Sequence, residues 1–268
     1  MFHKLLCLFR IFSVIKLHKG DYHLRNILIT GASNGLGFAL AEHFLDKGDT
    51  VIINSRTSSK LSSIKKQIVA SKFNGKHLII NADVKSRKEI QQLFSTASKQ
   101  FGQIEVLINC AGINIDKPFL QMDDNSWDEV VNTHLKGTFI SSQEFAKQYQ
   151  GRSGHIITLG AGCGIQGRIN GANFCSAKGG ILALTKCMAR ELAPRIAVNC
   201  LTPSAVDTDE VMSRYNLDTK KGLEKVLSGI PMDRLGKRED VIQMTEAILS
   251  SKFTTGSNFF VNGGELML

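Results

Sequence analysis

At 268 residues the chain is long enough for one sizeable α/β domain and short for two. Its 43% hydrophobic and 21% charged residues exclude a disordered polar chain. The formal charge of +9 is spread without a run of five basic residues, which suits an anionic small ligand or acidic partner and argues against nucleic acid.

Cys7, Cys110, Cys163, Cys175, Cys187 and Cys200 form no C-x-x-C pair and meet no histidine at zinc spacing. No metal is expected, and the set reads as buried thiols in a reducing, cytoplasmic setting. The first 25 residues differ from the rest: Lys4, Arg10, Lys16, Lys19 and Arg25 face Asp21 alone. Their apolar stretch 5–15 is broken by Arg10 and is shorter than the roughly 20 residues of a bilayer span. Leu5, Phe9 and Phe12 share a helical face with Lys16, and no small-residue cleavage site follows. Residues 1–25 read as a variable leader outside the fold, with membrane-surface or organelle targeting as the alternative. No transmembrane segment is expected.

From residue 26 onward short apolar runs alternate with helical patterns. Strands are expected at 26–30, 50–55, 76–81, 104–109, 154–160, 195–201 and 258–262, each bounded, β-branched and nearly all apolar. Such runs suit strands buried on both faces of a parallel sheet. Helices are expected at 35–47, 58–71, 86–101, 124–149, 173–193 and 237–250. Strict alternation predicts one doubly wound α/β domain of about seven parallel strands over 26–268, with helices on both faces.

The first strand runs into "TGASNGLGFALAEHF", with Gly31, Gly35 and Gly37 between strand and helix. Gly31 permits a sharp turn, Gly35 lets backbone approach a pyrophosphate, and Gly37 lets the helix pack close. Ser33, Asn34 and Leu36 lie in the same turn, and the helix start offers N–H groups and a positive dipole end to phosphates. The second strand ends in "INSRTSSK", without an Asp or Glu for a ribose 2′-hydroxyl. Ser55, Arg56, Thr57 and Lys60 suit a 2′-phosphate instead, which favours NADP(H) over NAD(H).

The 31–37 glycines, "NCAG" at 109–112 and Lys178 together resemble the short-chain dehydrogenase/reductase family over about residues 26–265, most of all its 3-oxoacyl-carrier-protein reductases. "ADV" at 82–84 is similar to the family's adenine-side Asp83-Val84. "VNCLTPSAVDT" is similar to the segment leading into its substrate lid, and "SNFFVNGG" to its last strand. The resemblance implies oxidoreductase chemistry on a nicotinamide dinucleotide held by Gly31, Ser33, Asn34, Gly35, Leu36, Gly37, Arg56, Asp83, Val84, Asn109, Ala111, Gly112, Lys178 and Thr208. It also implies a dimer or tetramer joined through the helices at 124–149 and 173–193, homomeric or mixed with an active relative.

The family protonates the substrate oxygen with a tyrosine supported by a lysine, a serine and an asparagine. Carried onto this chain, the tyrosine position is Phe174, the serine position Ala161 and the asparagine position His134; only Lys178 remains. Ser204 replaces a glycine of the lid segment, and the loop at "LAPRIAVN" is about one residue short. Phenylalanine offers no donor and alanine cannot orient a carbonyl. His134 is the leading substitute donor, ahead of Cys163, Cys175 and Ser176. The expectation is a non-catalytic or crippled NADP(H)-binding homologue, for instance a partner subunit of an active relative. The alternative is an active reductase with altered proton delivery. The lid region 204–230, with Asp207, Asp209, Glu210, Arg214 and Tyr215, selects no substrate class.

Overall fold

The computed structural model describes residues 23–151 and 153–268, so all but the last three residues of the expected leader lie outside the described residues. Seven strands form one parallel sheet in the order β3-β2-β1-β4-β5-β6-β7. They are β1 (Asn26–Thr30), β2 (Thr50–Ser55), β3 (His77–Asn81), β4 (Val106–Asn109), β5 (Gly154–Leu159), β6 (Ile196–Pro203) and β7 (Asn258–Val261).

Alternation along β1 builds two cores. Ile27 and Ile29 face one side, with Leu40 and Phe44 of α1 (Gly35–Asp46), Ile64 and Ile68 of α2 (Ser58–Ser71), and Val241 and Ile248 of a later helix, 238–250. Leu28 and Ile52 face the other, against Ile90, Leu93 and Phe94 of α3 (Arg87–Phe101) and Phe145 of a helix at 137–148. The central strands are buried on both faces as expected. The edge strands β3 and β7 are only half-buried, because each has a neighbour on one side alone.

The long helix expected at 124–149 is three pieces. α4 (Asp124–Val131) leads into a π-helical turn (Asn132–Lys136) and then α5 (Gly137–Gln148). A π turn adds one residue without a breaker, so hydrophobic spacing does not reveal it. Beyond β5 come α6 (Cys163–Gln166) and α7 (Ala172–Leu192). The region 204–230 holds two unexpected helices, α8 (Asp209–Tyr215) and α9 (Lys220–Leu227), before α10 (Arg238–Ser250). Thr208 and Thr219 cap α8 and α9 by accepting from Val211 N and Gly222 N.

The cysteines need correction. Among the described ones only Cys200 is buried; Cys187 is exposed and Cys110, Cys163 and Cys175 are intermediate. No described helix is long and apolar enough to cross a membrane.

Candidate active site

The sheet order reverses between β1 and β4, and their carboxyl ends leave a crevice there. Gly31 turns out of β1 at φ +64°, and a Cβ on it would fall 2.5 Å from the Ala111 Cα. Gly35 also has positive φ, and its Cβ position is open apart from Thr208 at 3.9 Å. A Cβ on Gly37 would lie 2.9 Å from the Gly31 carbonyl oxygen, so α1 starts tight against the turn. Asn34, at the helix start, makes no side-chain capping bond. The first-turn N–H groups therefore face the crevice without a side-chain acceptor.

A cavity of about 370 Å³ runs from this turn. It gathers Gly31, Ser33, Asn34, Gly35, Leu36, Gly37, Arg56, Asp83, Val84, Ala111 and Gly112, all picked from sequence, together with Ser55, Thr57 and Lys60. Three expected residues are not on its wall. Asn109 is buried beneath it and donates to Ser142 Oγ at 3.2 Å. Thr208 caps α8. Lys178 is buried and donates to the Leu159 carbonyl at 2.7 Å, Leu159 being a wall residue. Sequence reasoning missed Asn54, whose amide ties the end of β2 to the Ala82 carbonyl at 3.0 Å. Asp209 and Glu210, named from sequence only as lid residues, also line this groove, a placement not foreseen because no helix was expected there.

Arg56 is half exposed at 48%, with Asp83 at 3.9 Å and Glu129 at 3.8 Å. The loose pairs leave its guanidinium free to take a better acceptor.

Phe174 and Lys178 stand one turn apart on α7. Two cations lie over the Phe174 ring, Arg168 at 5.2 Å and Lys178 at 5.5 Å from its centroid. His134 meets it edge-on at 5.0 Å. Arg168 is in turn held by both oxygens of Asp116, at 2.6 and 2.7 Å. Lys178 is held below the ordinary lysine range by burial.

The π turn carries His134 against the loop after β4. Its Nε2 sits 2.7 Å from the Ile113 carbonyl and 3.1 Å from the Ile113 N–H, while Nδ1 has no partner. Burial, then the Lys178 charge, pushes its pKa down to about 3. The ring is neutral at physiological pH and its Nε2 is spent on backbone, so no imidazolium is present to act as the expected acid.

A second cavity of about 660 Å³ adjoins the Phe174 ring. Ala161, Cys163, Phe174, Ser204 and Tyr215 share its wall. Burial pushes the Cys163 thiol up to about 12 and raises Tyr215 above the ordinary tyrosine value. Among the described residues no group of three His, Cys, Asp or Glu could hold a metal.

An open parallel sheet with a glycine-lined crevice at its switch point defines a Rossmann-like α/β protein. Residues 25–218 match the family model described as short chain dehydrogenase, and the chain belongs to that family of oxidoreductases. It is 34% identical over 249 residues to the 3-oxoacyl-[acyl-carrier-protein] reductase FabG of Staphylococcus epidermidis, covering 91% of this chain and 99% of that one. To the FabG of Salmonella typhimurium it is 32% identical over 245 residues, with 90% and 97% covered. Among solved structures, a Brucella melitensis short-chain dehydrogenase/reductase of the glucose/ribitol dehydrogenase type superposes with TM-score 0.83 at 27% identity, over 91% of this chain and 97% of that one. A short-chain type dehydrogenase/reductase from Mycobacterium ulcerans shares the fold with TM-score 0.85 at 23% identity, over 90% and 89% of the two chains.

Proposed function

We propose that this protein binds NADP(H) in the glycine-lined groove and performs little or no tyrosine-dependent carbonyl reduction, serving instead as a partner subunit of short-chain dehydrogenase assemblies. The glycine cradle, which any Cβ at Gly31 or Gly37 would fill, fits a dinucleotide. The first turn of α1 would hold the pyrophosphate, Arg56 and Lys60 the 2′-phosphate, and Asp83 and Val84 the adenine. Lys178 would turn from the Leu159 carbonyl to the nicotinamide ribose.

When bound, the reduced dinucleotide supplies a hydride for a carbonyl carbon. This chain's own part would be played at the oxygen, which gains charge and needs a donor. The observation that carries the reading is the Phe174 ring, which meets Arg168 and Lys178 at the family's tyrosine position and offers no hydroxyl. Ala161 adds no donor, and His134 is neutral and tied to Ile113.

One observation favours a second reading, an active reductase with a displaced donor. Tyr215 shares the Ala161–Phe174 cavity and lies in the fields of Arg168 and Arg214. Titration with NADPH and NADH beside a turnover screen on 3-oxoacyl and simple ketone substrates tests both. Tight NADPH binding with background turnover is expected. Brisk turnover abolished by Tyr215→Phe would overturn the first reading in favour of the second. The half-exposed Phe139 on α5 supports assembly, and a monomer by light scattering at micromolar concentration would contradict the partner-subunit role.

A further inference from the structure

The larger cavity, of about 660 Å³, is of a size that encloses a small organic ligand, and its wall shares no residue with the dinucleotide groove. Its lining is divided. Ala161, just past the end of β5, and Phe174 give it an apolar surface, to which Val211 of α8 adds. Another part of the wall is one face of α9. Lys221, Gly222, Lys225 and Val226 all line the cavity, and positions four apart on a helix share a face. The charges on this wall are unevenly committed. Arg168 is held by both oxygens of Asp116 at 2.6 and 2.7 Å, and Arg214 by Glu210 at 2.5 Å and Asp116 at 3.4 Å. Glu265, the only carboxylate among the wall residues, accepts from Ser204 Oγ at 2.5 Å. Lys221 and Lys225 are different. Among the described residues neither ammonium group has an ion-pair or hydrogen-bond partner, and the neighbouring Glu224 pairs with Lys220 at 3.8 Å instead.

We propose that this cavity binds an anionic amphiphile, its carboxylate or phosphate head taken by Lys221 and Lys225 and its hydrocarbon body laid against Ala161 and Phe174. The two parts of the wall do different work. Removing hydrocarbon from water supplies most of the affinity. Two uncommitted ammonium groups one helical turn apart set the sign of the head, since a cation there would meet repulsion and a neutral head no partner. Arg168 and Arg214 keep their own carboxylates and do not compete for the ligand. The proposal rests on the proposed function only in that the ligand is held and not converted. Because the two walls are separate, amphiphile binding and NADP(H) binding can succeed or fail independently.

The test is calorimetric titration of the full chain with octanoate, octyl phosphate, octanol and octylammonium, with NADPH titrated in parallel. Octanoate and octyl phosphate should each bind at one site per chain, and the tighter of the two identifies the head. Lys221→Gln with Lys225→Gln should weaken both anions by about fivefold and leave octanol unchanged, because only the head loses its partners. Lys65→Gln with Lys66→Gln removes the same charge from α2 and should change nothing. NADPH affinity should be equal in all three proteins, which separates a failure here from a failure of the cofactor reading. If the Lys221 and Lys225 double variant loses NADPH as well, the single changes carry the test, at about twofold each. Equal anion affinity in the parent and the Lys221 and Lys225 variants would overturn the proposal. So would octylammonium binding as tightly as octanoate, or no binding of either anion.

Discussion

Around β1, β2 and β4 the site is made of backbone. Gly31 and Gly37 clear space that no side chain may enter, and the start of α1 offers uncapped N–H groups. Around β5, α6 and α7 the same sheet edge is made of side chains, among them Ala161 and Phe174, on which the proposed loss of proton delivery rests. A backbone cradle survives most substitutions outside its glycines. A proton-delivery site disappears with two oxygen atoms while its shape persists, since phenylalanine fills the volume of tyrosine. The two halves of one site can therefore part company without cost to the fold.

The largest expected effect comes from putting both oxygens back. Phe174→Tyr with Ala161→Ser should raise NADPH-dependent ketone reduction by about 10²–10⁴ over the unaltered protein, followed as NADPH consumption. A double variant as inert as its parent would mean that the side-chain half of the site has lost more than its donors, and that the two halves do not differ in this way.

The backbone half is tested at Gly31. Gly31→Ala combines left-handed strain with a Cβ 2.5 Å from the Ala111 Cα, together costing about 2–4 kcal/mol. Gly102→Ala is the control, because it shares positive φ but has nothing within 4 Å of the added carbon. Gly102 lies at φ 82°, ψ −158°, so that change should cost about 1–3 kcal/mol of backbone strain alone and leave NADPH binding untouched. Denaturant unfolding and NADPH titration of both variants measure the difference, and equal losses would show that the close approach to Ala111 carries nothing.

His134 connects the halves, since it holds the Ile113 loop with one edge and meets Phe174 with another. Its pKa of about 3 lies below the ordinary 6.5, so between these values the unfolded chain binds a proton that the folded chain refuses. Stability is complete above pH 6.5 and is lost as pH falls toward 3, at up to about 1.4 kcal/mol per unit. His155, also lowered by burial, adds in the same direction. His134→Asn should flatten the slope between pH 7 and 5 without abolishing it. An unchanged slope would mean that His134 titrates normally and remains available as an acid.

The groove was legible in sequence because its signals are local: three glycines between a strand and a helix, and a strand end without a carboxylate. Phe174 and Ala161 were legible only by comparison with a family pattern, since neither carries chemistry of its own. The lid was not legible. α8 and α9 span seven and eight residues, shorter than the roughly 11–18-residue window over which an apolar stripe can be told from a loop. Glu210 and Arg214 were therefore placed from sequence only in the lid, not at the mouth of the candidate site, where they meet Asn114 and Asp116. The π turn escaped for a related reason: "NTHLKG" contains no breaker before Gly137, yet one added residue directs His134 at the Ile113 backbone.

The smallest expected effect decides which dinucleotide the backbone half prefers. Arg56 has weak neighbours, with carboxylates no closer than 3.8 Å and half its side chain in water, so removing it should barely alter stability. A 2′-phosphate would give the guanidinium a doubly charged acceptor in place of those distant ones, and charge-assisted hydrogen bonds of this kind contribute about 1.5–3 kcal/mol. Exposure pulls the expectation to the low end. Arg56→Ala should therefore weaken NADPH by about tenfold and leave NADH nearly unchanged, because the adenosine ribose of NADH presents only a hydroxyl there. Raising salt should shrink the NADPH advantage of the unaltered protein and not that of the variant. Equal weakening of the two cofactors would move Arg56 from phosphate recognition to shaping the loop between Asp83 and Glu129, and the selectivity would then have to reside in Ser55, Thr57 and Lys60.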